Sequence, residues 1–155
     1  MYELHENEQY FFDDRTLDQL DDFASAWDSP CCICTPMLGK RLVERGASVT
    51  ILDIDERFKT LNGFQLFDIY RPEWIDQKFD LIICDPPFFS VSLSQLFTAI
   101  RMLSQFNFDQ KIMISYLSRR KDAITGTFAP FGLTATDYFP KYQTCLLYTS
   151  DAADE

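Results

Sequence analysis

Histidine is almost missing from this sequence: His5 is the only one, and it lies in a polar N-terminus. No Cys-x-x-Cys pair occurs, so a zinc site lacks its usual ligand spacing. No run approaches the roughly 18 apolar residues of a membrane span. The start, Met1-Tyr2-Glu3-Leu4-His5-Glu6-Asn7-Glu8, has neither the basic opening nor the apolar stretch of a secretion signal. No internal repeat or low-complexity tract is present. Cations are scarce, with 14 Lys and Arg against 24 Asp and Glu and a net charge of −10. That excludes holding nucleic acid by bulk charge, but not by a local basic patch or through a partner subunit.

What is present fits one globular domain. The chain has 155 residues, 46% of them hydrophobic and 15% aromatic. This is enough for a sizeable core and too apolar for general disorder. Cys31, Cys32, Cys34 and Cys84 sit in apolar runs. They read as free core thiols of a reducing compartment, hence a cytoplasmic protein.

The last eleven residues, Cys145-Leu146-Leu147-Tyr148-Thr149-Ser150-Asp151-Ala152-Ala153-Asp154-Glu155, look foreign. They resemble the translation of a transposase adapter used in sequencing libraries and are set aside from fold reasoning. The expected domain is therefore 1–144, with its natural C-terminus cut off near Thr144. The tail carries three acids and no base, which leaves −7 for the rest.

Along the chain, Asp13 and Asp14 precede Leu17, Leu20, Phe23, Ala24 and Trp27 at helical spacing. The pattern predicts a capped amphipathic helix over 16–27, ended by Ser29-Pro30. Residues 31–34 are wholly apolar, as in a strand buried on both faces. A helix is expected over 37–45, with Pro36 in its first turn and Gly46 past its end. Further strands are predicted at 49–53, 64–67, 79–84, 111–116 and 133–139. Helices are expected at 92–103 and, shorter, at 119–125. Apolar strands alternating with helices imply an α/β sandwich around a mostly parallel sheet.

Such sheets bind ligands outside the carboxyl ends of their strands. The residues placed there are Thr35 and Pro36, Asp53, Asp68 and Asp85. Three of these four places carry a carboxylate, which points to one polar pocket. Asp85-Pro86-Pro87-Phe88 follows the strongest strand. A carboxylate can accept one N–H of a planar amine, and the Pro86 carbonyl can accept the other. Two acceptors draw the nitrogen toward tetrahedral geometry and localise its lone pair for attack on a sulfonium methyl group. This is positioning and electrostatics, with no strong base required. The prolines stiffen the loop, and Phe88 offers a flat aromatic face. A rigid aspartate-capped turn is the plainer reading of the same four residues.

Asp-Pro-Pro-Phe after an apolar strand resembles the D-P-P-[YF] motif of amino-directed methyltransferases. More specifically, the chain resembles the probable N6-adenine methyltransferase family, a group that includes ribosomal-RNA adenine and elongation-factor lysine methyltransferases. Gln9-Tyr10-Phe11-Phe12 is similar to its glutamine-aromatic signature, and Cys34-Thr35-Pro36-Met37-Leu38 to its first loop. Residues Leu52 to Phe58 are similar to its acidic stretch, and Asp68 to the aspartate after its third strand. The resemblance runs from about Glu8 to Thr144. It implies a Rossmann-like class I methyltransferase fold, C-terminally truncated here, with S-adenosylmethionine as cofactor. By the same resemblance Thr35, Pro36, Asp53 and Asp68 bind the cofactor. Asp53 takes the ribose hydroxyls, with Asp55 as its alternate, and Asp68 faces the cofactor's adenine. Asp85, Pro86, Pro87 and Phe88 hold the target amine, and Tyr10, Phe11 and Phe12 close over the pocket. Ordinary core packing accounts for those three aromatics equally well.

The chain departs from the wider superfamily in two places. Its Gly-x-Gly loop is replaced by Thr35-Pro36-Met37-Leu38-Gly39. A cofactor without phosphate has no need of an anion-binding nest. The strand that would pair antiparallel near the fifth should lie beyond Thr144, so the edge of the fifth strand is expected to be open. The leading function is methyl transfer to the N6 of adenine in RNA or DNA, with nucleic acid as partner; a duplex target would have to be flipped out. Arg119, Arg120 and Lys121 form the one tight basic cluster, with Arg71 a further phosphate contact. A protein lysine is the alternative substrate, its activity expected to rise steeply with pH. A non-catalytic binding module is the third reading.

Overall fold

The structure, a computed structural model, describes residues 1–144. The expected foreign tail, and any strand past Thr144, lie outside the described residues. Among the described residues the chain builds nine α-helices and β-strands, beginning with helix α1 (Asp14–Ala24), whose N-cap Asp13 accepts a hydrogen bond from the Thr16 amide at 2.8 Å. The helix starts two residues before the expected boundary and stops three short of Trp27. There Ser25 turns its hydroxyl onto the Asp22 carbonyl at 2.6 Å, a local bond that competes with continuing the helix.

Strands β1 (Pro30–Ile33) and β2 (Thr50–Asp53) are fully buried and flank helix α2 (Pro36–Glu44). Gly46 ends that helix with φ +86°, as expected for a C-terminal glycine. The turn before β3 (Phe64–Leu66) needs Gly63, whose φ is +88° and whose missing Cβ would lie 2.0 Å from the Val49 carbonyl oxygen. Strand β4 (Leu81–Cys84) leads to helix α3 (Leu93–Leu103), opened by a reciprocal capping box between Ser92 and Gln95. Strand β5 (Ile112–Ile114) and the short helix α4 (Lys121–Thr127) complete the set.

The five strands are all parallel, in the order β3-β2-β1-β4-β5. The chain winds outward on one side of β1 and then on the other. This places a topological switch point between β1 and β4, where the loops leaving both strands diverge and open a crevice. Alternate strand residues feed two cores. Cys31, Ile33, Leu52, Ile82 and Cys84 pack with α3 and α4. Cys32, Ile51, Leu81 and Ile83 pack with α1 and α2. Gly39 on α2 sits so close to β2 that a Cβ there would lie 2.7 Å from Ile51 Cγ1. The expected α/β sandwich is therefore the observed one. Among the described residues no helix is long and apolar enough to cross a membrane.

The sixth strand expected at 133–139 does not form. Residues 134–139 are exposed and irregular, and β-branched or aromatic residues form a strand only where a partner and a packing face exist. The residues just after it find backbone partners at the N-terminus instead. The Asp13 amide donates to the Lys141 carbonyl, the Gln143 amide to that of Phe11, both at 2.9 Å, and Phe12 and Tyr142 form an antiparallel bridge. No described strand pairs with the outer edge of β5, whose three residues are half-buried.

Candidate active site

One cleft opens at the carboxyl ends of β1 to β4 and is lined by the eleven residues expected to hold the cofactor and the target amine, but not by Asp55, Arg71 or the basic cluster. The eleven are Tyr10, Phe11 and Phe12; Thr35 and Pro36; Asp53; Asp68; and Asp85, Pro86, Pro87 and Phe88. The non-protein space within the cleft, which includes open solvent, is about 820 Å³. Glu8 joins the three aspartates in the lining, and no Lys, Arg or His does among the described residues. The cleft is thus an acid-rich, aromatic-walled slot.

The loop after β1 shows how the chain manages without a Gly-x-Gly. Cys34 itself takes φ +60°, the left-handed conformation that glycine normally supplies. Its amide donates to the Leu52 carbonyl at 3.0 Å, which fixes the turn between β1 and β2. Burial drives the thiols of Cys31, Cys34 and Cys84 well above their ordinary range, and that of Cys32 to about 12. These are protonated packing groups and not nucleophiles.

At the end of β2 the two candidate carboxylates part company. Asp53 lines the cleft and is buried. Desolvation pushes its pKa up to about 6, against the backbone amides of Asp55 and Ile54 that hydrogen-bond to it. Asp55 is committed elsewhere: its carboxylate takes Arg57 Nη2 at 2.8 Å and Gln9 Nε2 at 2.9 Å. Burial would raise Asp55, but these hydrogen bonds outweigh it and hold the group below the usual carboxylate range. Ile54, between them, is 51% exposed and turned into the cleft, an apolar floor that sequence reasoning did not single out. Asp68 caps its own turn by accepting from the Tyr70 amide at 2.9 Å.

The tetrapeptide leaves β4 with the Asp85 amide donating to the Ile33 carbonyl at 3.2 Å. The turn then closes on Pro87, whose carbonyl accepts from the Ser90 and Val91 amides. Phe88 is nearly buried, edge-on to Phe89 and Tyr116. The flat face expected of it is largely covered, and Phe89, 47% exposed, is the open ring beside it. Asp85 is the most perturbed carboxyl here. Burial pushes its pKa up to about 8, opposed by hydrogen bonds from Tyr142 and Ser115 and reinforced by Glu8. The Tyr142 hydroxyl donates to Asp85 Oδ1 at 2.9 Å. Sequence reasoning missed both Tyr142 and Glu8. Nothing local marks Tyr142, which arrives from 57 residues away.

The N-terminal segment roofs the cleft and is tied at both sides. Gln9 bridges to Asp55 and Arg57 after β2. Glu8 accepts from the Phe89 amide at 2.8 Å and from the Ser90 hydroxyl after β4. Phe11 and Phe12 are 3% and 4% exposed, and Phe12 belongs to the α1–α2 core, so both pack as well as line. Tyr10 stacks on His5 with ring centroids 4.8 Å apart. Of the basic cluster, Arg120 donates to the Tyr116 hydroxyl at 3.0 Å, so it lies one aromatic ring away from Phe88.

The family described as probable N6-adenine methyltransferase matches residues 3–151. The ribosomal RNA large subunit methyltransferase I of Erwinia tasmaniensis is 32% identical over 115 residues, 66% of this chain and 27% of that protein. The protein of the same name from Tolumonas auensis is 30% identical over 101 residues, 64% of this chain and 24% of its own length. The chain thus spans about a quarter of these curated relatives. In structure it is similar to the magnesium protoporphyrin IX methyltransferase of Synechocystis PCC 6803, solved with S-adenosylmethionine bound. The TM-score is 0.55 at 16% identity, covering 83% of this chain and 76% of that one.

Proposed function

This chain belongs to the probable N6-adenine methyltransferase family, and we propose that it methylates the exocyclic N6 of adenine in RNA, using S-adenosylmethionine. The observation that carries the reading is the place of Asp85-Pro86-Pro87-Phe88. It lies at the switch point, in one cleft with Asp53, Asp68 and the loop after β1. The relatives that share a stretch of this domain are named for ribosomal RNA, which supports RNA over DNA.

The cleft fits the cofactor. A lining with Glu8 and Asp68 beside the raised Asp53 and Asp85, and no Lys, Arg or His among the described residues, suits a ligand that carries positive charge. When bound, S-adenosylmethionine supplies an electrophilic methyl group. Asp53 would accept the ribose hydroxyls, Ile54 would pack under the adenine and Asp68 would face its amine. Thr35 and Pro36 would line the methionine end. Asp85 and the Pro86 carbonyl would accept the two N–H groups of the target amine. Tyr10, with the Phe11 and Phe12 wall, would shut out water.

A lysine side chain is the second reading, favoured by the same acid-rich lining. The pH test expected to separate the two substrates loses its power here. Asp85 must shed a proton near pH 8 to act as an acceptor, so either activity climbs through that region. The deciding experiment is transfer of tritiated methyl from S-adenosylmethionine into a cell extract, followed by digestion of the product. Label released by ribonuclease and recovered as N6-methyladenosine supports the reading. Label released only by protease refutes it.

A further inference from the structure

Tyr142 enters the cleft from the far end of the described chain. Its hydroxyl stands 2.9 Å from Asp85 Oδ1 and 3.0 Å from Ser115 Oγ. Its ring packs on Phe12 with centroids 5.2 Å apart, and its backbone bridges to the same residue. Ser115 is itself placed by its amide bond to the Cys84 carbonyl, 2.9 Å, at the end of β5. The Tyr142 hydroxyl therefore holds Asp85 Oδ1 and is itself held by Ser115, from the end of a separate strand. A free aspartate rotates about its side-chain torsions. One whose Oδ1 is gripped presents its other oxygen in a fixed direction.

We propose that Tyr142 is a positioning residue for the amine chemistry: its hydroxyl, held by Ser115, pins Oδ1 of Asp85 and leaves Oδ2 turned to the target nitrogen. The inference rests on Asp85 being the amine acceptor. The hydroxyl does a second thing. It donates to the ionised carboxylate, which favours the form able to accept from an amine. Its own deprotonation is pushed well above the usual tyrosine range by burial and by Asp85, so it stays a donor. The surroundings make such a donor necessary. Around Asp85 stand Glu8 from the N-terminal segment, the thiols of Cys34 and Cys84, and, across the cleft, Asp53 and Asp68. None of these is a cation.

The test is Tyr142→Phe, which keeps the ring on Phe12 and removes only the hydroxyl. The Asp85 carboxyl is titrated by carbon-13 NMR, assigned by its loss in Asp85→Asn, and needs no turnover. Methyl transfer is measured from pH 6 to 9.5 with tritiated S-adenosylmethionine and unmodified ribosomal RNA transcribed in vitro. The expected result is an Asp85 titration about one unit higher, hence roughly tenfold slower turnover at pH 7 that recovers above pH 9. Cofactor affinity by calorimetry should stay within about twofold, with the loss in kcat and not in KM. Ser115→Ala should move both readouts the same way by less. An unshifted titration and pH profile would overturn the proposal. A turnover that rises at every pH would also overturn it, because the hydroxyl would then be an obstacle at the amine site. Turnover surviving in Asp85→Asn would refute the amine-acceptor reading itself, and the NMR shift would still report whether Tyr142 grips the carboxyl.

Discussion

Replacing Asp85 with asparagine should stabilise the protein while abolishing methyl transfer. In the folded chain burial raises the Asp85 pKa from 3.8 to about 8. Between those values the folded state keeps a proton that the unfolded state has lost. The group's contribution to stability is therefore complete below pH 4 and is lost as pH rises toward 8. A fully shielded carboxyl would lose about 1.4 kcal/mol for each unit of this window. Asp85 keeps part of its surface in solvent, which screens the penalty, so about 2 kcal/mol in all is the working magnitude. Asparagine keeps an oxygen for Tyr142 and Ser115 and cannot ionise. At pH 8 Asp85→Asn should melt about 4–8 °C above the parent, given the size of the domain, and at pH 4 the two should coincide. Taking the difference between variant and parent cancels the slopes from Asp53, Asp55 and Glu3, which titrate in both. The assay is a thermal melt at a series of pH values, joined to calorimetric titration with S-adenosylmethionine and to labelled methyl transfer. A gain of equal size at pH 4 and pH 8, or a loss at pH 8, refutes the account of Asp85 as a desolvated acceptor.

Other perturbations probe the scaffold. Gly39→Ala improves helix propensity but drives a methyl group into Ile51; it should cost about 1–3 kcal/mol in a denaturant melt. Cys34→Val asks a β-branched residue to hold φ +60°, and should cost about 2 kcal/mol and weaken cofactor binding in the same titration. Gln9→Ala cuts the tie to Asp55 and Arg57. Amide exchange over residues 1–12 should then quicken, with little change across the sheet.

How much could be read from the residues depended on whether the signal was local. The strand at Leu81–Cys84 and the helix at Leu93–Leu103 announce themselves, one by an unbroken apolar run and the other by periodicity and a capping box. The strand-end carboxylates followed from topology alone, because a parallel sheet gathers the ends of its strands. Choosing between Asp53 and Asp55 was beyond the sequence, since both flank Ile54. The structure separates them by what else each touches: Asp55 is held by Arg57 and Gln9, and Asp53 faces the cleft. Tyr142 and Glu8 stayed hidden for the same reason, their partners being remote in the chain. The absent strand over 133–139 is the converse case. Its residues favour extended backbone, yet a strand exists only in a pair, and whether a partner edge lies alongside is not written in the segment itself.

The loop after β1 shows what a missing motif does and does not imply. A glycine-rich loop does two jobs in nucleotide-binding folds: it adopts left-handed backbone and it clears space for a phosphate. Here the first job is done by Cys34 at φ +60°, at a cost of about 1–2 kcal/mol for a residue with a Cβ. That strain is tolerated because the amide bond to Leu52 and the packing of the partly buried side chain against the core hold the turn in place. The second job falls away for a ligand without a phosphate. The close helix approach that glycine also permits has moved four residues on, to Gly39 against Ile51. The functions of the motif have been redistributed over Cys34 and Gly39, so its absence from the sequence is not evidence of a dead cleft. The altered loop opens onto an acid-rich lining with no Lys, Arg or His among the described residues.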